Sequence, residues 1–208
     1  MLNRKYAVTN PCTSCSCETL CLTLKDDTTY NIPTENGRQY TNDYVNRKYN
    51  MKLVTRNNLE NWADTTFSKA TLPYLISRLV RATTPASTKA NLPSGSATYI
   101  GGWDGIVNCE TETAYVPQGI SLWEFGTSSD CKGKADDDYD KRKANPIGFI
   151  PSDSVFIFVT PRLWTKKGEW ILAKKAENHW KDVKVYDSID LEQWLDNALS
   201  VSRWLASQ

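Results

Sequence analysis

The chain after Met51 shows two periodicities of apolar residues. Aliphatic residues recur every three or four positions over residues 72–80, which predicts an amphipathic helix. A shorter helix precedes it, with Asn57 or Asn58 as the predicted N-cap. By contrast, residues 154–160 form a nearly continuous apolar run, which is typical of a strand buried on both faces.

The order of the remaining elements predicts the fold class. After the second helix we predict strands over 97–107, 115–116 and 120–125, a polar helix over 134–144, the strand 154–160, a helix near 168–179, a strand over 183–186 and terminal helices. The order α-α-β-β-β-α-β-α-β-α-α predicts an α/β fold with a mixed central sheet flanked by helices. Several unrelated folds share this order, so the chemistry of the site has to distinguish between them.

Residues 1–50 have a different character. They are rich in Asn, Thr and Cys and show no regular periodicity, apart from an apolar run at 20–24 that allows a hairpin. We therefore predict an N-terminal segment, 1–50, and a domain, 51–208. The segment is interpreted either as an appendage or as sequence upstream of a true start codon at Met51.

Four cysteines crowd into this segment, at Cys12, Cys15, Cys17 and Cys21. In a reducing compartment, four thiolates at this spacing can bind Zn²⁺. Structural zinc sites usually take their ligands from two separated knuckles, however, so unligated thiols are the preferred interpretation.

Charge and composition exclude several classes of protein. The formal net charge is +1, so DNA binding would need a local basic patch rather than a global field. No run of 18 apolar residues and no secretory signal is present, which predicts a cytoplasmic protein without a membrane partner. With His179 as the one histidine and no nucleophile elbow, a catalytic triad is excluded.

Two acidic residues stand inside otherwise apolar strand patterns, Asp104 and Glu124. A lone carboxylate in such a strand is costly unless it is paired or binds a cation. Two acids on adjacent strands repel each other, and a divalent ion such as Mg²⁺ relieves that repulsion. The alternative is that both acids lie on the solvated face of an antiparallel sheet.

The residues around these acids resemble a known family. Residues 59–205 are similar to restriction-endonuclease-like nucleases related to the Mrr enzymes, and more closely to the N-terminal nuclease effector domains of bacterial antiviral STAND ATPases. The resemblance implies an αβββαβ core around a mixed sheet. The similar segments are 72–80, 102–107, 116–127, 134–135, 138–139, 141–142, 158–164 and 190–195.

The resemblance also implies a function and the residues that perform it. Asp104 and Glu124 would bind Mg²⁺ or Mn²⁺, and Glu60 would supply a further ligand. The superfamily places a lysine two residues beyond the acid, where this chain has Gly126, so Lys134 would take that role, with Lys132 as a nearby substitute. The implied activity is metal-dependent cleavage of double-stranded DNA in antiviral defence.

Other residues are candidates for binding rather than catalysis. The predicted DNA contacts are Gln118, Lys132, Lys141, Arg142 and Arg162, and solvated surface charge is the alternative interpretation. The run 136–138 of three aspartates is interpreted as charge near a helix N-terminus. The resemblance further implies a sensor ATPase partner or self-association. Because Gly126 departs from the motif, the alternative function is an inactive nuclease fold that binds nucleic acid or a partner protein.

Overall fold

The computed structural model describes residues 19–23, 29–33, 52–93 and 102–208. The chain divides into two units, residues 1–51 and 52–208. In the first unit, β1 (Thr19–Thr23) and β2 (Thr29–Pro33) pair as an antiparallel hairpin. Residues 20–23 of the predicted apolar run therefore lie in a strand, as the hairpin interpretation allowed, and residue 24 lies outside the described part of the chain.

The second unit is an α/β fold with an open sheet. Its elements are α1 (Arg56–Ala63), α2 (Ser68–Thr83), β3 (Lys89–Asn91), β4 (Gly105–Cys109), β5 (Gly119–Phe125), α3 (Cys131–Ala144), β6 (Ser154–Val159), α4 (Lys167–Ala176), β7 (Asp182–Tyr186), α5 (Ser188–Asp196) and α6 (Leu199–Ala206). A short 3-10 helix, Pro151–Asp153, precedes β6.

The five strands of this unit follow one another in space in the order β3-β4-β5-β6-β7. The β3-β4 and β4-β5 pairs are antiparallel, whereas the β5-β6 and β6-β7 pairs are parallel. The sheet is therefore mixed, as predicted. Every residue of β6, the central strand of the parallel half, is buried, which confirms the interpretation of its apolar run.

Helices cover both faces of the sheet. On one face, buried residues of α1, α2, α5 and α6 pack against alternate residues of the strands, including Trp123 and Ile157. On the other face, α3 and α4 pack against the intervening residues, including Leu122, Phe156 and Phe158. Asp104 and Glu124 belong to this second face, which is covered by α3.

Two of the predicted elements differ from the structure. Residues 115–116 form no strand, and the three antiparallel strands are instead β3, β4 and β5, of which β3 was not predicted. The predicted strand residues 97–101 lie outside the described part of the chain. The N-cap of α1 is Thr55 rather than an asparagine, and Asn58 completes its capping box from the third helical position.

None of the described helices is both long and apolar enough to cross a bilayer.

Candidate active site

The structure brings Asp104 and Glu124 together. Gly105 and Trp123 are partners in the antiparallel β4-β5 ladder, so continuing the register by one residue sets Asp104 opposite Glu124. The backbone N–H of Phe125 donates a 2.9 Å hydrogen bond to Asp104 Oδ2. This bond fixes the Asp104 carboxylate beside β5.

Glu124 is buried, and on balance its surroundings disfavour its negative charge. Its side chain is only 3% exposed. Burial, and then repulsion by Asp104, raise the pKa of Glu124 to about 8, with a smaller contribution from Asp138. Arg142 acts in the opposite direction but does not cancel these effects. Burial, with the two neighbouring acids, therefore favours the protonated form of Glu124 more strongly than Arg142 favours the charged form.

Arg142 lies inside the site, so its predicted contact with a DNA phosphate needs correction. It is 2% exposed. Its Nε donates to Glu124 Oε1 and its Nη2 donates to the carbonyl oxygen of Gly102, while its guanidinium lies 4.8 Å from the ring centroid of Trp103. A buried charged carboxylate is costly unless it is paired, and Arg142 is the cation that pairs with Glu124 here.

Gly126 is closely surrounded by side chains. A Cβ atom at this position would lie 2.7 Å from Phe158 Cζ and 2.8 Å from Lys134 Cγ. The aliphatic part of Lys134 therefore occupies the space that a side chain at position 126 would need. The Lys134 amine donates to both carboxylate oxygens of Asp138, at 2.5 and 2.6 Å.

Asp138 is a member of the cluster that the sequence analysis missed. The prediction placed residues 136–138 near a helix N-terminus, but α3 begins at Cys131, so these aspartates are not in its first turn. Asp138 is 4% exposed, and burial together with repulsion by Asp104 raises its pKa against the opposing effect of Lys134. The four-residue spacing of Lys134, Asp138 and Arg142, which places them on one helix face, was the available signal.

Carboxylate oxygens of this site fit a hard divalent cation. Asp104 and Glu124 each use one oxygen in a hydrogen bond, and among the described residues their second oxygens, Oδ1 and Oε2, have no hydrogen-bond partner. Mg²⁺ often binds through one or two carboxylates, with water completing its coordination. Within residues 52–93 and 102–208, no three His, Cys, Asp or Glu side chains form a metal-binding group, and the two acids Asp104 and Glu124 are the ligands that this part of the chain offers.

Glu60 and Gln118 do not join this cluster. Glu60 contacts Arg56 at 4.0 Å and accepts a 3.5 Å hydrogen bond from Ser188 Oγ, so the structure does not bring it to the two acids as a further ligand. Gln118 precedes the first residue of β5, whereas Glu124 is near its end. The two are separated by six residues, or about 20 Å of extended strand. A phosphate contact of Gln118 would therefore lie far from the acids.

The three other predicted DNA contacts have different surroundings. Lys132 is 69% exposed and pairs with Asp136 at 2.6 Å. Lys141 is exposed and lies close enough to Asp138 to influence its pKa. Arg162 is only 18% exposed and binds Asp64 at 2.7 Å. None of these contacts decides whether the residues bind DNA, so that interpretation stays a prediction.

The predicted zinc site falls outside the described residues. Cys12, Cys15 and Cys17 are not described, and of Cys21 only the backbone in β1 is. The two other cysteines, Cys109 and Cys131, are buried free thiols.

Comparisons with known protein families, with curated proteins and with solved structures found no match for this chain.

Proposed function

We propose that residues 52–208 form a metal-dependent nuclease domain that hydrolyses phosphodiester bonds of double-stranded DNA. The main support is the position of Lys134, whose side chain fills the space over Gly126 beside the paired acids Asp104 and Glu124. This arrangement would compensate for the missing lysine of the superfamily motif. The succession α2-β3-β4-β5-α3-β6 agrees with the order of a restriction-endonuclease-like αβββαβ core.

Each residue has a role in this proposal. Asp104 and Glu124 would hold Mg²⁺ or Mn²⁺ through the oxygens that make no other described contact. The ion, when bound, would polarise a phosphoryl oxygen and activate water. Lys134, whose amine is held by Asp138, would donate a hydrogen bond to the negative charge that develops on the phosphate. Exposed Lys132 and Lys141 on α3 are the candidate contacts with the DNA backbone.

The biological setting is part of the same proposal and rests on the resemblance of the sequence. It is a cytoplasmic effector of antiviral defence that is activated by a sensor ATPase or by self-association. Such activation would bring several nuclease domains to one DNA molecule, so weak cleavage by the isolated chain is compatible with the proposal.

A second candidate is an inactive nuclease fold that binds nucleic acid or a partner protein. The observation that favours it is the contact between Arg142 and Glu124, because a guanidinium already occupies one carboxylate oxygen of one of the two acids. Under this alternative, the cluster would stabilise the fold without binding a metal ion.

Plasmid cleavage distinguishes the two candidates. Supercoiled DNA is incubated with the protein and Mg²⁺ or Mn²⁺, or with a chelator, over a range of protein concentrations that covers self-association. We expect nicking that requires the metal, that Asp104→Asn abolishes, and that Lys134→Met slows by at least about 100-fold. Lys69→Met, at an exposed position of α2, is the control and should retain cleavage. Retention of DNA without cleavage at any concentration would support the second candidate.

A further inference from the structure

A single arginine connects the three elements that form the site. Arg142 extends from α3, binds Glu124 on β5 and binds the Gly102 carbonyl, which lies two residues before Asp104. Its guanidinium also lies over the ring of Trp103, the residue between Gly102 and Asp104. All of these partners except Gly102 are less than a tenth exposed.

The geometry of this contact suits arginine in particular. The guanidinium is a rigid planar fork, so its Nε and Nη2 hold two acceptors at a fixed separation. Gly102 has a φ of +145°, a backbone conformation that favours glycine, and its carbonyl accepts from Arg142. The backbone leading to Asp104 is therefore fixed relative to the side chain of Glu124.

The same contact leaves part of Glu124 available. Arg142 donates to Oε1 alone, and among the described residues Oε2 has no hydrogen-bond partner. Carboxylates that bind metals are commonly held in this way, with one group of the surrounding protein hydrogen-bonded to the ligand. Removing such a partner typically weakens metal binding about 10- to 100-fold.

We infer that Arg142 is a positioning residue of the metal site, which orients Glu124 and fixes the backbone of Asp104 while the metal ion is bound. This inference rests on the proposed function, since it assumes that the two acids bind a divalent ion. The opposite role is a competitor, in which the guanidinium occupies the position of the cation and must leave when the ion enters. The two roles predict opposite effects of removing the arginine.

The first experiment measures Mg²⁺ binding by isothermal titration calorimetry on proteins whose folding is verified by circular dichroism. Arg142→Lys retains the positive charge but loses the fork, so we expect binding about 10- to 100-fold weaker than that of the wild type. Lys143→Arg, an exchange at the exposed neighbouring position, is the matched control and should bind like the wild type. Equal or tighter binding by Arg142→Lys would overturn the inference.

The second experiment uses the wild-type protein, so it remains decisive if the variants do not fold. The Nε–H proton of Arg142 is buried and hydrogen-bonded, and its NMR signal should be protected from exchange with water. We expect this protection to persist at saturating Mg²⁺. Loss of protection on adding Mg²⁺ would show that the guanidinium is displaced and would overturn the inference.

The two experiments also separate this inference from the proposed function. If the wild type binds Mg²⁺ and Arg142→Lys binds it equally well, only the positioning role fails. If the wild type does not bind Mg²⁺ or Mn²⁺ at all, the proposed function fails, and the positioning role fails with it.

Discussion

The crowding at Gly126 gives a quantitative prediction about Lys134. In Gly126→Ala the new methyl group would lie 2.7 Å from Phe158 Cζ and 2.8 Å from Lys134 Cγ, both much closer than normal contact. Overpacking of this kind lowers the free energy of unfolding by about 1–3 kcal/mol. Part of that cost arises from Lys134, and part from Phe158.

A double-mutant cycle separates the two parts. Lys134→Ala removes Cγ, so in that background Gly126→Ala should cost less, with a coupling free energy of about 1 kcal/mol. Lys134→Met retains Cγ and is the matched control, because both variants remove the amine that binds Asp138. In the methionine background the coupling should lie within the usual error of additivity, about 0.5 kcal/mol.

The assay is urea denaturation followed by far-UV circular dichroism, with a chelator present so that metal binding does not contribute. The wild type and five variants complete both cycles. Equal coupling in the alanine and methionine backgrounds, or none in either, would show that the Lys134 side chain does not occupy the space over Gly126. The structural basis for assigning Lys134 to the active site would then be lost.

Two further predictions concern stability. The pKa of Glu124 in the folded protein is about 8, above its ordinary value of 4.5. Between these pH values the folded protein holds a proton that the unfolded chain has released. The free energy of unfolding should therefore fall by up to about 1.4 kcal/mol for each pH unit as the pH rises through this range. Glu124→Gln should lack this slope in urea titrations from pH 5 to 8, and identical slopes would contradict it. Asp187 is the N-cap of α5, as Thr55 is of α1, but the buried Asp187 also pairs with Lys167. Asp187→Ala should therefore lower the free energy of unfolding by about 3 kcal/mol in the same assay, against about 1 kcal/mol for Thr55→Ala; equal costs would contradict this ranking.

Much of the fold was predictable because its signals are local. The period of α2 and the apolar run of β6 are fixed by neighbouring residues, and the structure confirms both. The strand β3 was not predictable in this way. β3 has three residues, two of them exposed, and it forms through pairing with β4 rather than through its own pattern.

The site was only partly predictable for a related reason. The antiparallel register brings Asp104 and Glu124 together, and two acids in apolar strands were visible in the sequence. The contact between Arg142 and Glu124 joins residues that are 18 positions apart on different elements, and a helical arginine looks the same in sequence whether it is buried or solvated. The interpretation of Arg142 as a surface contact therefore failed, whereas the pairing of Lys134 with Asp138 was available from helical spacing.

The most direct test of the proposed metal site is a crystal structure of the protein grown with Mn²⁺ and measured for anomalous scattering. We predict one Mn²⁺ ion about 2.1 Å from a carboxylate oxygen of each of Asp104 and Glu124, with Arg142 still bound to the other oxygen of Glu124. An anomalous map without a peak between these two acids, from crystals soaked to saturation, would contradict the account.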